Sequence, residues 1–311
     1  MLNIDLNCPL CKSKDVRFVA SVPDVEYETS SKKYSYFKCT NCGCVFLKNP
    51  PVDQLQSIYP ATYYSFANKR HAGVAQILSL VKSNLESRFF KRLIQNHLQG
   101  VKSVEVLDVG GGTGFICDVL GRHINCDTRF TVLDLDQAAL EIAQQKGYST
   151  IHGSIEEVSI QSKFDLIIAL NLIEHVGNPA AVIRKFRGAL RENGVIVIKT
   201  PNTDSINYKI FKKIYWGGYH APRHFVLFNE RNFRTLVSAE GLSVFSLKYT
   251  QGAPQWTYSV LGAVKLNWFP RLYLHGFFSD ILKLAFAAFD FLRLSLGART
   301  DQMWVLLKRK A

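Results

Sequence analysis

A glycine-rich turn directly after an apolar run is the part of this sequence best suited to holding a ligand. Residues 104–114 read VEVLDVGGGTG, a run with strand composition that breaks into four glycines. The helical spacing of residues 115–120 then predicts a strand-to-helix turn. Glycine lets a backbone approach a ligand closely, and the helix N-terminus beyond it attracts electron-rich groups. We therefore expect a nucleotide-type cofactor at the end of this strand.

The spacing of the glycines distinguishes this turn from two common nucleotide-binding motifs. The dinucleotide pattern G-x-G-x-x-G would need a glycine at position 115, where the chain has Phe115. The P-loop pattern G-x-x-x-x-G-K-[ST] does not occur in the sequence. What remains is G-x-G-x-G, formed by Gly110, Gly112 and Gly114 and preceded by Asp108.

Two C-x-x-C pairs near the start of the sequence form a second chemical group. Cys8 and Cys11 make the first pair, and Cys39 and Cys42 make the second. Four thiolates at this spacing are typical of a closed, structural zinc site. Cys44 is an alternative to Cys42 as the fourth ligand. Seven cysteines without an export signal favour reduced thiols and a cytoplasmic location, with contact at the inner membrane face left open.

An acid and a histidine follow another apolar run. Glu174 and His175 come directly after residues 164–171, where a predicted strand ends. Histidine is a natural base near neutral pH, and an adjacent carboxylate can raise its basicity. The alternative is that Glu174 and His175 only begin the next helix. His224 is a second candidate base and lies at the end of the loop 215–224, which is rich in aromatic and basic residues.

The same loop offers candidate substrate contacts. Tyr219 and Arg223 suit a sugar ring that carries a phosphate, because guanidinium groups bind phosphate and aromatic rings cover apolar faces. The alternative is that the aromatic residues of the loop simply pack beneath the helix predicted at 230–239.

The order of apolar runs predicts an α/β protein. From residue 103 to 250, short apolar runs alternate with amphipathic segments, which indicates a parallel sheet with helices on both faces. The chain divides into four predicted segments: a cysteine-bearing head (1–60), a helical connector (61–102), the α/β core (103–250), and an apolar helical insertion that ends in a closing strand (251–311).

Net charge and hydropathy limit the classes of partner that this chain is expected to have. The formal net charge of +13 favours nucleotides, nucleic acid or an anionic membrane as partners, although a basic surface that only aids solubility explains it equally well. Residues 275–296 are very apolar but include Asp280, Lys283, Asp290 and Arg293, which argues against a transmembrane span. We expect this helix to pack in the core. The alternatives are that this helix covers an apolar substrate or that residues 265–296 make peripheral contact with a membrane.

Residues 103–250 resemble the class I S-adenosylmethionine-dependent methyltransferases along nearly their whole length. The resemblance implies a Rossmann-like fold, a mostly parallel seven-stranded sheet with helices on both faces and an antiparallel last strand. The cofactor positions that it implies are Asp108, Gly110, Gly112, Gly114, Asp134, Leu135, Ser154, Ile155 and Asn171.

These positions have separate roles in the resembled family. Asp108 and the glycine turn surround the methionine part, and Asp134 binds both ribose hydroxyls. Asp136 competes for that role, but a helix N-cap is the simpler interpretation of its position. Ser154 and Ile155 occupy the place of the adenine contact, whereas Asn171 ends the strand that lines the active site.

The head resembles the zinc-binding heads fused to sugar and polysaccharide-cluster methyltransferases. In those proteins the head and a following Tyr-rich segment, here with Tyr59, Tyr63 and Tyr64, help to form the substrate side. The resemblance extends to ubiquinone-type O-methyltransferases, whose Glu-x-x-Glu-His motif can bind magnesium. Asn171 replaces the first acid here, which puts a catalytic metal in doubt.

The function that the sequence predicts is therefore methyl transfer from S-adenosylmethionine to a small or lipid-linked carbohydrate-type acceptor, at oxygen, with a structural zinc ion in the head. Two alternatives stay open. One is methylation of ribosomal RNA, for which a zinc ribbon and basic charge are also suited. The other is a catalytically silent cofactor-binding protein.

Overall fold

The structure is a computed structural model of the 311-residue chain. It describes residues 6–59, 102–123, 126–269 and 276–310, together with residues 84, 87–93, 96, 97 and 274. The predicted substrate contacts Tyr63 and Tyr64 lie outside the described residues, as does most of the predicted connector.

A seven-stranded sheet forms the centre of the protein. Its strands are β4 (Ser103–Val109), β5 (Asp127–Asp134), β6 (Ser149–His152), β7 (Phe164–Leu170), β8 (Leu190–Pro201), β10 (Leu242–Thr250) and β11 (Gln302–Arg309). The strand order is β10-β11-β8-β7-β4-β5-β6, and β11 is antiparallel to both of its neighbours. The predicted Rossmann-like methyltransferase fold is thereby confirmed. Residues 195–198 of β8 are all buried, as expected of a central strand covered on both faces.

Helices connect and cover these strands. They are α1 (Leu55–Ile58), α2 (Phe115–Gly121), α3 (Gln137–Gln145), α4 (Pro179–Ala189), α5 (Ile206–Phe211), α6 (Glu230–Ala239), α7 (Ala253–Asn267) and α8 (Phe277–Ser295). Residues 87–93 are also helical, and Phe90 from this stretch packs against Trp304 of β11 with ring centroids 5.8 Å apart.

A second sheet combines the N-terminal head with a strand from the core. Its order is β1 (Val16–Pro23), β2 (Lys33–Cys39), β3 (Val45–Leu47) and β9 (Val226–Leu227), where β9 directly follows the loop 215–224. Val45 pairs with Leu227 and Phe46 with Val226 in antiparallel register. The head therefore shares its sheet with the segment that carries His224.

The apolar helix at the C-terminal side is exposed, which corrects the expectation that it packs in the core. The α7–α8 pair is inserted between β10 and β11, and α8 contacts α7 through its charged side. Asp290 is buried and accepts hydrogen bonds from Gly252 N (2.7 Å) and Trp256 Nε1 (3.2 Å). The apolar side of α8 consequently faces solvent. Within the described residues, no helix is long and apolar enough to cross a bilayer.

Candidate active site

The glycine turn after β4 adopts the left-handed backbone that its composition predicts. Gly110, Gly112 and Gly114 have φ angles of +73°, +52° and +76°, a region that side chains other than glycine rarely enter. The atom nearest to a Cβ added at Gly112 would be Oδ2 of Asp134, 4.0 Å away. The turn thus leaves open space in front of that carboxylate.

Asp134 ends β5 and faces the turn. Its Oδ2 accepts a hydrogen bond from Gly112 N (2.8 Å), and its Oδ1 accepts one from Asp136 N (2.9 Å). Burial raises the pKa of Asp134 above its ordinary value, and these backbone donors offset part of that rise. Asp136 instead caps α3, because its side chain accepts from Ala138 N and Ala139 N. The choice of Asp134 over Asp136 as the ribose candidate fits this division of roles.

The remaining cofactor candidates surround the same edge of the sheet. Asp108 is buried at the end of β4. Gly153 N donates to the Asp134 carbonyl at 3.0 Å, which places the turn with Ser154 and Ile155 beside β5. Leu135 is exposed next to Asp134. The donor set, with a carboxylate beside an open glycine turn, fits a ligand that carries a nucleoside diol.

Three histidines meet at the carboxyl ends of β7 and β8. The ring centroids of His175 and His224 are 4.6 Å apart, and His220 lies 5.0 Å from His224. His224 Nδ1 is 2.7 Å from the carbonyl of Gly218. Since a carbonyl only accepts, Nδ1 carries the proton and the lone pair of the neutral ring is on Nε2. His224 therefore has the form of a general base.

Glu174 lies against His224 instead of His175. Its Oε1 is 3.9 Å from His224 Nε2, while the side chains of Asn171 and Thr200 donate to its two oxygens at 3.1 and 2.9 Å. Complete burial raises the pKa of Glu174 to about 7. The imidazole nitrogen paired with this carboxylate is thus that of His224, and an effect of Glu174 on the basicity of His175 stays a prediction.

His175 is held by a residue of the head. The Tyr59 hydroxyl is 2.7 Å from His175 Nδ1. Burial, with smaller contributions from the neighbouring His220 and Arg223, lowers the pKa of His175 to about 3. Burial also lowers the pKa of His224 well below its ordinary value. Both rings are consequently neutral at physiological pH.

Glu174, His175 and His224 also have the donor atoms of a three-ligand metal site. Their ligand atoms lie within 4.8 Å of one another. Asn171, the position where the resembled magnesium motif has its first acid, has a φ of 53° and donates to Glu174. His224 therefore stands near Glu174 and His175 as a third donor that the linear motif does not contain.

Two acids of the head fix the loop 215–224, which we call the histidine loop. Both oxygens of Asp24 accept hydrogen bonds from Arg223, at 3.1 Å from Nη1 and 2.9 Å from Nη2. Glu26 accepts from the Tyr215 hydroxyl at 3.0 Å and bonds His220 Nδ1 at 2.9 Å. Burial alone would raise the pKa of Asp24, but the hydrogen bonds and charge of Arg223 outweigh it and hold that pKa below its ordinary value.

Two predicted substrate contacts have structural roles instead. Arg223 is completely buried and neutralised by Asp24, so its guanidinium does not face a substrate phosphate. Tyr219 is also buried; its ring stacks on Tyr36 at 4.4 Å, and its hydroxyl donates to the Lys212 carbonyl at 2.7 Å. Packing, the alternative that the sequence left open for this loop, describes both residues better.

The cysteines of the two C-x-x-C pairs converge. The Sγ atoms of Cys8, Cys11, Cys39 and Cys42 lie within 4.8 Å of one another. Cys44 lies outside this set of four and directs its Sγ to the Val45 carbonyl at 3.7 Å. Four thiols in one cluster fit a tetrahedral zinc ion, with Cys42 as the fourth donor.

Several functional residues could not be found from sequence patterns. Asp24, Glu26 and Tyr36 belong to no motif, and their partners on the histidine loop are more than 180 positions away in the chain. Tyr59 differs from these residues, because it belongs to the Tyr-rich segment that the sequence resemblance assigns to the substrate side.

Comparison with known proteins agrees with the fold. A family model described as "Methyltransferase domain" matches residues 78–247, more than half of the chain. The chain therefore belongs to this methyltransferase family.

Among curated proteins, the chain is similar to ubiquinone biosynthesis O-methyltransferases. It is 30% identical over 115 residues to that of Rickettsia felis, covering 35% of this chain and 46% of the relative. It is 28% identical over 130 residues to that of Bradyrhizobium diazoefficiens, covering 40% and 49%. The chain thus spans about half the length of the curated relatives that it matches.

Among solved structures, the fold is similar to one from Galdieria sulphuraria that is provisionally assigned as a sarcosine dimethylglycine methyltransferase. The TM-score is 0.50 with 14% identity, and the match covers 76% of this chain and 88% of that one. At this identity the likeness concerns the fold alone.

The buried Asp24–Arg223 pair leads to a stability prediction. Asp24→Asn leaves the Arg223 charge buried without its carboxylate, so the free energy of unfolding should fall by about 3–5 kcal/mol in urea denaturation. Glu28→Gln is the control, because Glu28 pairs with Lys265 while 65% exposed and should cost less than about 1 kcal/mol. Asp24→Leu combined with Arg223→Met should recover part of the loss. Equal effects of Asp24→Asn and Glu28→Gln would contradict the interpretation.

Proposed function

We propose that this protein is an S-adenosylmethionine-dependent methyltransferase that acts on a hydroxyl group. The observation that carries the proposal is the Asp134 carboxylate at the end of β5, beside the left-handed glycine turn at the end of β4. Membership of the methyltransferase family supports methyl transfer, and similarity to ubiquinone biosynthesis O-methyltransferases supports oxygen as the acceptor atom.

Asp134 would hold the ribose of the cofactor. Each of its carboxylate oxygens already accepts one backbone N–H and has a further lone pair available. Two vicinal hydroxyls would donate to these remaining lone pairs in charge-assisted hydrogen bonds. When bound, S-adenosylmethionine supplies a methyl group that its sulfonium activates for in-line displacement.

His224 would take the proton of the acceptor hydroxyl at Nε2. Its Nδ1–H is fixed by the Gly218 carbonyl, which holds the ring in the required tautomer. The imidazolium formed would face Glu174 Oε1 at 3.9 Å, where the carboxylate in its ionised form would stabilise it. His175, bonded to Tyr59, packs at right angles against the His224 ring and would position it.

We further propose a small or lipid-linked carbohydrate-type acceptor that carries a phosphate. With Arg223 buried, the basic groove between β2 and α1 is better placed to bind the anion. It is a cavity of about 600 Å³, lined by Lys32, Lys33 and Lys48 and by a single acid, Asp53. Ile58 also lines it, and the next residue, Tyr59, bonds His175, so two consecutive residues connect the groove to the histidine cluster.

We also propose that the head binds one structural zinc ion through Cys8, Cys11, Cys39 and Cys42. Such a site would rigidify the connection between the start of β1 and the end of β2. It would therefore support the placement of Asp24 and Glu26, which follow β1, against the histidine loop.

Cofactor binding tests the role of Asp134. Asp134→Ala should weaken the binding of S-adenosylhomocysteine at least tenfold, about 1.4 kcal/mol, because the diol loses its acceptor. Isothermal titration calorimetry measures this. Asp136→Asn is the matched control, since asparagine keeps the cap of α3. Unchanged affinity of the Asp134 variant would remove the assignment of the cofactor.

Turnover tests the histidines. His224→Ala should lower kcat by about 10²–10⁴ while S-adenosylhomocysteine still binds, because only proton removal is lost. The assay follows labelled methyl groups into a fractionated cell extract, where we expect label in ribonuclease-resistant, carbohydrate-containing material. His175→Ala should have a smaller effect. His97→Ala should have none, because His97 packs against Phe245 of β10, away from the histidine cluster.

Three results would contradict this mechanism. Full turnover in His224→Ala would exclude it as the base. Turnover that depends on added magnesium would assign the Glu174–His175–His224 cluster to a metal ion. Label found in ribonuclease-sensitive material would favour RNA as the acceptor.

Metal analysis tests the cysteine cluster. Protein purified without chelators should contain about one zinc ion per chain. Cys42→Ser should lose it because a ligand is removed, whereas Cys44→Ala should retain it because Cys44 lies outside the cluster of four. Wild-type protein without zinc, or loss of zinc from Cys44→Ala, would overturn the proposed ligand set.

A further inference from the structure

The solvent-exposed face of α8 is apolar along the full length of the helix. Its exposed positions, which we call the outer face, are Phe277, Phe278, Ile281, Ala285, Ala288, Phe289, Phe291, Leu292, Ser295 and, just beyond the last turn, Leu296. At about 100° per residue they occupy roughly 160° of the helix circumference. Phe291 is 74% exposed and Leu296 is 79% exposed. This arrangement is the inverse of an ordinary surface helix, which turns its polar residues to water.

The charges of α8 lie on the opposite side and are neutralised in pairs. Lys283 donates to Asp280 at 2.9 Å, and Arg293 donates to the buried Asp290 at 2.7 Å. The Arg293 guanidinium also lies 5.8 Å from the ring of Trp256 in α7. Because these polar contacts fix the rotation of α8, the outer face cannot turn inward without breaking them.

The end of α7 adds aromatic side chains to the same exposed region. Trp268 follows the last residue of α7 and is 70% exposed, and Phe269 beside it is exposed as well. Tryptophan and phenylalanine are the residues that interfacial helices bury at the boundary between headgroups and acyl chains. Contiguous exposed apolar surface of this kind marks an interaction site in a water-soluble fold.

The neighbouring helix α5 and the turn that follows it combine exposed apolar and basic residues. Ile206, Ile210 and Ile214 recur every fourth position and are exposed. Lys209 and Lys213 lie between them and are also exposed. The helix packs on α7 through Phe211 and Trp256, whose rings are 6.4 Å apart, so α5, α7 and α8 form one layer.

We propose that the outer face of α8, with Trp268 and the exposed isoleucines and lysines of residues 206–214, docks on an anionic phospholipid surface. The apolar side chains enter the headgroup boundary, and the exposed lysines contact lipid phosphates. The net charge of +13 attracts the chain to such a surface and opposes the pairing of two copies through the same face. The docking does not depend on methyl transfer.

Intrinsic fluorescence offers a direct test on the full chain. Trp216, Trp256 and Trp304 are buried, so Trp268 is the exposed member of the four tryptophans. Vesicles of phosphatidylglycerol and phosphatidylethanolamine should shift the emission to shorter wavelength, and brominated lipids should quench it. Trp268→Phe should abolish the shift, and vesicles of phosphatidylcholine alone should produce a weaker one.

Substitutions on the outer face test its role in binding. Phe291→Glu combined with Leu296→Glu should lower vesicle affinity at least tenfold in a sedimentation assay, because two inserted side chains become charged. Both positions are exposed, so the fold should be retained, which circular dichroism checks. Phe18→Glu is the matched control, since Phe18 is 60% exposed on the head. Lys209→Glu with Lys213→Glu should weaken binding to anionic vesicles more than to neutral ones.

Other results would overturn the proposal. They are wild-type protein that does not bind anionic vesicles, or binding that neither shifts Trp268 emission nor responds to the Phe291 and Leu296 substitutions. A third is a double variant whose only change is from dimer to monomer in sedimentation velocity, which would assign the face to self-association.

Discussion

The buried ion pair between Asp24 and Arg223 is the interaction on which the candidate active site depends. Neither side chain is exposed, and the pair joins the head to the histidine loop across 199 positions of sequence. A buried pair contributes little net stability compared with apolar residues, but losing one partner is costly. The pair therefore specifies one position of the loop strongly, even though it adds little to its average stability.

This constraint also contributes to the environment of the histidine cluster. Arg223 is held close to His175, where its charge adds to the effect of burial in lowering the pKa of that ring. His220 is bound to Glu26, and His224 is bound to the Gly218 carbonyl, so each imidazole has a defined neighbour on at least one nitrogen. The partner of His220 comes from the head, whereas the partner of His224 belongs to the loop itself. The head thus acts on the chemistry through position, without supplying the candidate base.

The features that sequence could predict are those encoded locally. The parallel α/β sheet follows from the alternation of apolar runs. The position of Asp134 beside the glycine turn could be predicted because a strand end and a glycine turn are both short-range patterns. The roles of Arg223 and Tyr219 were predicted wrongly because residue type shows what a side chain can bind but not what already binds it. Asp24, Glu26 and the proximity of Glu174 to His224 depend on contacts between distant segments, and no spacing rule reports them.

The exposed face of α8 also could not be predicted from the sequence, because it depends on contacts with another segment. Its sequence contains one apolar arc and one charged arc, and that pattern alone fits a buried helix as well as an exposed one. Asp290 decides which arc of α8 faces the protein. It accepts hydrogen bonds from Gly252 and Trp256 of the α7 segment and pairs with Arg293. Once these partners occupy the charged arc, the apolar arc must face outward. In both cases a buried carboxylate fixes how a segment lies on the protein. Asp24 fixes the histidine loop and so the positions of its histidines, and Asp290 fixes the rotation of α8 and so the side that faces solvent.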